Sequence, residues 1–288
     1  MQIFLPFLLL VMCFLGSQVQ ISWASTSEVE PIHIESDQMN YDMKQDTAEA
    51  VGSAWAIQGD KKIEADRFIV KFQENKLSSS SLDKASKSVQ EIMATGHVHI
   101  ISSTEEIIGT SAIYNINTQI LIVFGDNILL TSPKGSVRAH KSLSYDQKTQ
   151  KVIALGNVDV IAENYAMNAP KISVHFKKTA QAHPHNSQES LILNSLKAEG
   201  GVVLKSQNYI SESNQANYSA LTGIVDLIGN VKITDGKNIF EGPCGEYNEK
   251  TGKSRLVTCS SNQLKDERSR VPKGRVRALL YTTAKKIP

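Results

Sequence analysis

The chain has 288 residues, 41% of them hydrophobic, 21% charged and 6% aromatic, with a formal net charge of +2. That is apolar material for one or two domains with a core of their own, and the near-neutral balance makes no case for a nucleic-acid binder. The charge is uneven: Lys265 to Pro288 hold eight Lys or Arg against Asp266 and Glu267. The basic tail 263–288 therefore reads as a solvated end, or as a contact for an acidic partner or an anionic head group.

From the N-terminus, residues 3–16, "IFLPFLLLVMCFLG", form an unbroken apolar run of 14. A helix needs about 20 such residues to span a bilayer. The run instead has the length of a signal-peptide core, and Ser22 and Ala24 put small residues ahead of a cleavage point at Ser25. The expectation is a signal peptide over 1–24, removed together with Cys13. The absence of Lys or Arg from Met1-Gln2 leaves an uncleaved anchor as the alternative.

Beyond it a hairpin-like unit recurs. Tyr41, Tyr114, Tyr145, Tyr218 and Tyr247 each open a polar stretch, as in "YDQKTQKVIALGNVDV" from Tyr145. Thr118, Thr149, Thr222 and Thr251 each fall four residues after their tyrosine, among Asn, Asp, Lys and Gly that suit turns. The apolar runs end at Gly52, Gly96, Gly125, Gly156, Gly200 and Gly229, at intervals of 44, 29, 31, 44 and 29 residues. Three successive intervals make 104, and Tyr41/Tyr145, Phe72/Phe176 and Tyr114/Tyr218 keep that offset. This implies two tandem modules on one plan, over 31–150 and 151–262. The long units carry polar insertions near 78–88 and at 177–190 that read as loops.

Each unit is β. After the glycine the chain alternates, with Val98 and Ile100, Val158 and Val160, Val202 and Leu204, and Val231 and Ile233 as the apolar members. Period 2 puts each pair on one face. In the first and third copies the pair is displaced by one residue, to Trp55 and Ile57 and to Ile128 and Leu130, as a bulge at Gly52 or Gly125 would do. No stretch after residue 25 has a helical period. Many antiparallel strands with one apolar face must close as a barrel, a sandwich or a long jelly roll. The low aromatic content argues against an outer-membrane barrel with its girdles.

Two cysteines remain after the leader, Cys244 and Cys259. They flank the turn at Lys250-Thr251 and lie nearly opposite each other across one hairpin, which fits a disulfide in an exported protein; two unpaired buried thiols are the alternative. His97 and His99 share one side of a strand without a cysteine or carboxylate cluster beside them in sequence, so they read as solvated and not as metal ligands. His183 and His185, around Pro184, read the same way. There is no Gly-rich phosphate loop, Gly-x-Ser-x-Gly or Cys-x-x-Cys. Ser36-Asp37 and Ala65-Asp66 recur as strand punctuation. No catalytic residue, metal or cofactor is expected.

"PIHIESDQ" (31–38), followed by a Tyr-Asp turn, resembles the opening of the LptA/OstA-like family of periplasmic lipopolysaccharide-transport proteins. "KKIEADRFIV" (61–70) resembles that family's Ile-x-Ala-Asp strand, and "IIGTSAIYNINTQILIVFGDNILL" (107–130) and "LTGIVDLIGNVKITDGKNIFEG" (221–242) its Tyr, turn, Gly-Asn continuation. The resemblance spans about 31–258. It implies an all-β fold, an elongated, twisted, open antiparallel β-jelly roll whose apolar interior holds lipid A acyl chains. It also implies stacking through edge strands onto an LptC-like inner-membrane protein, an LptD-like outer-membrane protein or further copies of the chain. Ile32 and Ile34 match family positions facing lipid near the N-terminal edge, and Ile101 a further groove position. A family member with one module is shorter, so the second module implies a longer groove or a divergent branch.

Such a groove suits the alternating aliphatics. A buried methylene is worth about 0.8 kcal/mol, so an acyl chain of about a dozen carbons costs on the order of 10 kcal/mol to expose to water. Sheets stack about 10 Å apart, which leaves room for acyl chains where side chains stay modest. Three other readings stay open: a membrane-tethered LptC-like component of the same system, a β-helical polysaccharide-active enzyme, and a β-solenoid with a filled core.

Overall fold

In the computed structural model the period-2 runs are strands, and the recurring glycines interrupt them at matching places. The structure describes residues 31–74, 87–162, 165–183, 186–251, 253–259 and 274–281, save the side chains of 179–190. The leader 1–24 and most of the first insertion lie outside these residues, as do the side chains of His183 and His185.

The described chain opens with β1 (His33–Glu35) and β2 (Gln38–Asp42), then the long strands β3 (Thr47–Gln58), β4 (Lys61–Glu74), β5 (Lys87–Ile101) and β6 (Glu106–Asn115). Four short strands come next: β7 (Ile120–Phe124), β8 (Ile128–Ser132), β9 (Gly135–Ala139) and β10 (Ser142–Asp146). Six long ones succeed them: β11 (Lys151–Ala162), β12 (Tyr165–His183), β13 (Asn186–Ser206), β14 (Tyr209–Ser219), β15 (Ile224–Asp235) and β16 (Asn238–Asn248). The described chain closes with β17 (Lys253–Val257) and β18 (Arg277–Leu279). There is no helix among the described residues, and thus none long and apolar enough to cross a membrane.

All these strands form one antiparallel sheet, each long strand pairing with its neighbours in sequence. Four long strands carry a pair of short ones on one side: β3 carries β1 and β2, β6 carries β7 and β8, β11 carries β9 and β10, and β16 carries β17 and β18. The halves of the molecule meet where β7 pairs with β10 and β8 with β9.

The glycines explain the repeat. Between Val51 and Ala54 the register slips against β4, so Gly52 and Ser53 oppose a single residue, Asp66. The same slip recurs at Thr95/Val98, Leu155/Val158, Glu199/Val202 and Ile228/Val231. An extra residue on one strand bends it. Gly96 and His97 take φ of 77° and 45°, and Gly229 and Asn230 take 79° and 50°, a region open to glycine and tolerable for Asn, Asp or His. A Cβ on Gly96 would run into the Asp66 carboxylate, and one on Gly229 into the Asn214 amide. Ala65-Asp66 is thus the partner of a bulge. Side chains on both sides of the bulge line point into one apolar interior, among them Val152 and Ala154 before Gly156 and Val158 and Val160 after it.

Three expectations change. The first copy keeps the common phase: Ala54 and Ala56 are buried, at 1% and 5% exposure, so Trp55 and Ile57 alternate to the other side of β3. The displacement of Ile128 and Leu130 holds, because three residues, Gly125 to Asn127, separate β7 from β8 where the other copies have a two-residue bulge. The second insertion is no loop, since the pairing of β12 with β13 runs out to His183 opposite Asn186; backbone pairing overrides its polar composition. Part of the basic tail is ordered too: β18 pairs with β16, Leu279 opposite Ile239 and Arg277 opposite Glu241.

Candidate functional site

The sheet's concave side encloses an apolar trough made of three cavities that share walls. The N-terminal cavity, about 280 Å³, is lined by Ile32, Ile63, Phe68, Ile92, Ile100 and Tyr114 among others. Leu121 and Tyr145 belong to it and also to the middle cavity, about 90 Å³, whose walls include Leu130, Val158, Val160, Ile172, Phe176 and Leu193. Met167 and Leu196 join the middle to the C-terminal cavity of about 250 Å³, which takes Leu204, Tyr209, Tyr218, Leu227, Ile233 and Tyr247. The middle is aliphatic except for Met167, Phe176 and Tyr145, and the charged wall residues, Lys61 and Glu249, sit at the two ends.

The expected lipid-facing residues divide by position. Residues four after the bulge glycine, Ile100, Val160, Leu204 and Ile233, all line the trough. Residues two after it are more deeply packed: Val98 and Val158 are 0% exposed, Val231 1% and Val202 2%. Of these, Val158 reaches a trough wall, whereas Val98 and Val202 are on none of the three. Val231 instead borders a polar pocket between Glu212, Glu241 and the tail residues Arg275 and Arg277. Leu130 lines the middle, and Ile128 is core at 1% exposure. Ile32 and Ile34 are half-buried against the core, with Ile32 on the N-terminal wall. Ile57 touches that wall only beside the β3–β4 turn, and Ile101, at the end of β5, lies on none of the three walls.

In the sequence the repeat's tyrosines mark turns, yet most also line the trough. Tyr114, Tyr145, Tyr218 and Tyr247 are wall residues, and Tyr165 and Tyr209 join them. Burial pushes the Tyr145 phenol up to about 12, and the phenol donates a 2.7 Å hydrogen bond to Gln150 Oε1. Burial likewise raises Tyr209 to about 12. These phenols therefore stay neutral at physiological pH. The inward parity of Tyr145 with Val152 and Ala154 across the hairpin is the signal the sequence offers for this role.

The histidines do not gather. His97 Nδ1 sits 2.8 Å from Asp66 Oδ2 with a 91% exposed side chain, and His99 lies between Glu64 and Glu106 at 3.4 and 2.6 Å. Among the described residues no group of three His, Cys, Asp or Glu is placed to hold a metal. Cys244 and Cys259 are bonded, with Cα atoms 5.1 Å apart; the hairpin register sets Cys244 opposite Val257, two residues short of its partner.

A family model described as "LptA/(LptD N-terminal domain) LPS transport protein" matches the chain twice, over residues 33–141 and 137–253. No curated protein sequence matches it. Among solved structures, the chain is similar to LptH from Pseudomonas aeruginosa, titled the LptA homologous periplasmic component of the conserved lipopolysaccharide transport device. Identity is 12%, coverage 88% of this chain and 96% of that one, and the TM-score 0.22, a superposition too loose to carry any functional argument.

Proposed function

The chain belongs to the LptA/(LptD N-terminal domain) family of LPS transport proteins, and we propose that its trough holds lipopolysaccharide acyl chains while they cross the periplasm. The observation that carries this is the continuity of the trough, in which three apolar cavities share Leu121, Tyr145, Met167 and Leu196 as common walls. Acyl chains seated there are shielded from water, and the carrier avoids the cost of exposing every methylene. The contacts are the residues four after each bulge glycine, with Ile32 at the N-terminal end. The residues two after it support them from within the sheet.

The bridging role rests on the edges. β2 is exposed along its length, with Met39 at 56%, Tyr41 at 53% and Met43 just beyond it at 78%. An edge strand left open is a template for strand addition. Inside the chain, β10 and β9 lie along β7 and β8, and β10 and β9 stand to β11 as β2 and β1 stand to β3. By this correspondence the modules meet between β8 and β9, earlier than residue 150, and their junction is a covalent version of the joint we assign to β1/β2 with an LptC-like or LptD-like partner or another copy. Cleavage after Ala24 would free that edge from the membrane.

Purified chain without residues 1–24 tests the proposal. It should retain lipopolysaccharide through size-exclusion chromatography, and Val160→Asp should abolish retention with β content intact by circular dichroism. Retention unchanged by Val160→Asp would overturn it.

A further inference from the structure

The C-terminal end of the trough is chemically unlike the rest. Its floor is aliphatic, but its walls carry the phenols of Tyr165, Tyr209, Tyr218 and Tyr247, the hydroxyl of Ser211 and the carboxylate of Glu249. Tyr218 donates to Glu249 Oε2 at 2.8 Å. The rings are close enough to the carboxylate to sense it: burial first, and then the Glu249 charge, raise the pKa of Tyr165 and Tyr218. Tyr247 is raised by burial, then by Tyr209, Tyr165 and Glu249. The phenols stay neutral, so the only charge on these walls is negative.

That charge lacks a counter-ion. No Lys or Arg pairs with Glu249 among the described residues, and neighbouring Lys250 is directed to the Leu221 carbonyl oxygen at 3.0 Å. Glu249 is half-buried, and a cation seated beside it would pair with its carboxylate. Neutral phenol rings present negative faces that attract cations. An ammonium group offers three donors and one positive charge at a single point, which suits the carboxylate and the phenol faces together.

We infer that this cavity is a binding site for the primary ammonium group of an alkyl-chain amphiphile, with Glu249 as counter-ion and the tyrosine rings around it. The alkyl chain enters the trough past Leu196 and Met167, a path that rests on the acyl-chain function proposed for the trough. A carboxylate or phosphate head is repelled from the same place by Glu249.

The test is calorimetric titration at pH 7 of the chain without residues 1–24, using dodecylammonium, dodecanoate and the uncharged dodecyl maltoside below their micelle concentrations. Dodecylammonium should bind about tenfold more tightly than dodecanoate. Glu249→Gln should level the two, and Glu249→Lys should invert them. Tyr209→Leu, which removes an aromatic face and keeps the carboxylate, should weaken dodecylammonium severalfold; it stands in should the Glu249 variants fail to fold. Equal affinities in the unmodified chain, or a preference that survives Glu249→Gln, would overturn the site. Binding of dodecyl maltoside without any ammonium preference would sink this inference alone. Ammonium binding without dodecyl maltoside binding would keep it and sink the acyl-chain trough.

Discussion

The middle of the trough and its two ends use the same alternating strands but differ in the room they leave, about 90 Å³ against about 250 and 280 Å³. The cause is side-chain size on the wall. β12 and β13 bring Phe176, Leu191 and Leu193 to the middle wall. One repeat earlier, the positions of Leu191 and Leu193 are held by Lys87 and Val89. Strand pattern makes a trough, and the bulk of a few inward residues sets what fits in it. The same contrast recurs within each strand: the valine two after a bulge glycine is packed within the sheet, and the residue four after it lines the trough.

The largest effect should break that second contrast. Val158 is 0% exposed, so Val158→Asp buries an unpaired carboxylate and should cost more than about 4 kcal/mol, abolishing the cooperative transition in a urea melt. Val160→Asp, two residues on at the half-buried wall, should cost about 1 kcal/mol and spare the fold.

Next, Phe176→Ala should cost about 3 kcal/mol through the void it leaves. It should also raise the amount of acyl chain bound in the middle, measured as lipid retained per chain; lower stability without added capacity would show that Phe176 does not set the room there.

The third concerns the C-terminal end. Cys244 and Cys259 close a 15-residue separation, and Cys259→Ser should cost about 3 kcal/mol, read as a shift in the urea midpoint. It should also open β16 and β17 to hydrogen exchange before the middle strands.

A smaller effect lies in alkaline solution. The folded phenols of Tyr145 and Tyr209 sit at about 12, above the unfolded value near 10. Their protonated state therefore favours the fold fully below about pH 10, and this contribution is lost as pH rises from there through about 12. The melting temperature should fall across that window, and less steeply in Tyr145→Phe. The smallest effect is expected at the exposed Arg255–Glu246 pair, 2.8 Å apart, where Arg255→Ala should leave the urea midpoint almost unchanged.

Much of this is legible in the sequence. The 104-residue offset becomes strand for strand in the structure, with β3 over 47–58 and β11 over 151–162, because the glycines other than Gly125 mark bulges that the neighbouring strand must accommodate. The first copy's phase is hidden because its inward residues are Ala54 and Ala56, whose small side chains give a weak apolar signal beside Trp55 and Ile57. The second insertion looks like a loop because strand pairing from β12 to β13 needs only backbone groups. The division of labour between the residues two and four after each glycine has little sequence signal, since the first is Val in all four copies and the second is Ile, Val or Leu, all of them apolar; the bend distinguishes them. The tyrosines are visible as a repeat, but their role as walls depends on which side of the hairpin faces the interior.

The most direct measurement is photo-crosslinking to lipopolysaccharide from a benzophenone side chain placed singly at Val160, Leu204 and Ile233, and at their neighbours Ile161, Lys205 and Thr234. Adducts at the first three positions and none at the second three are the expected result. Equal labelling at both sets, or labelling confined to the second, would contradict a trough that carries acyl chains.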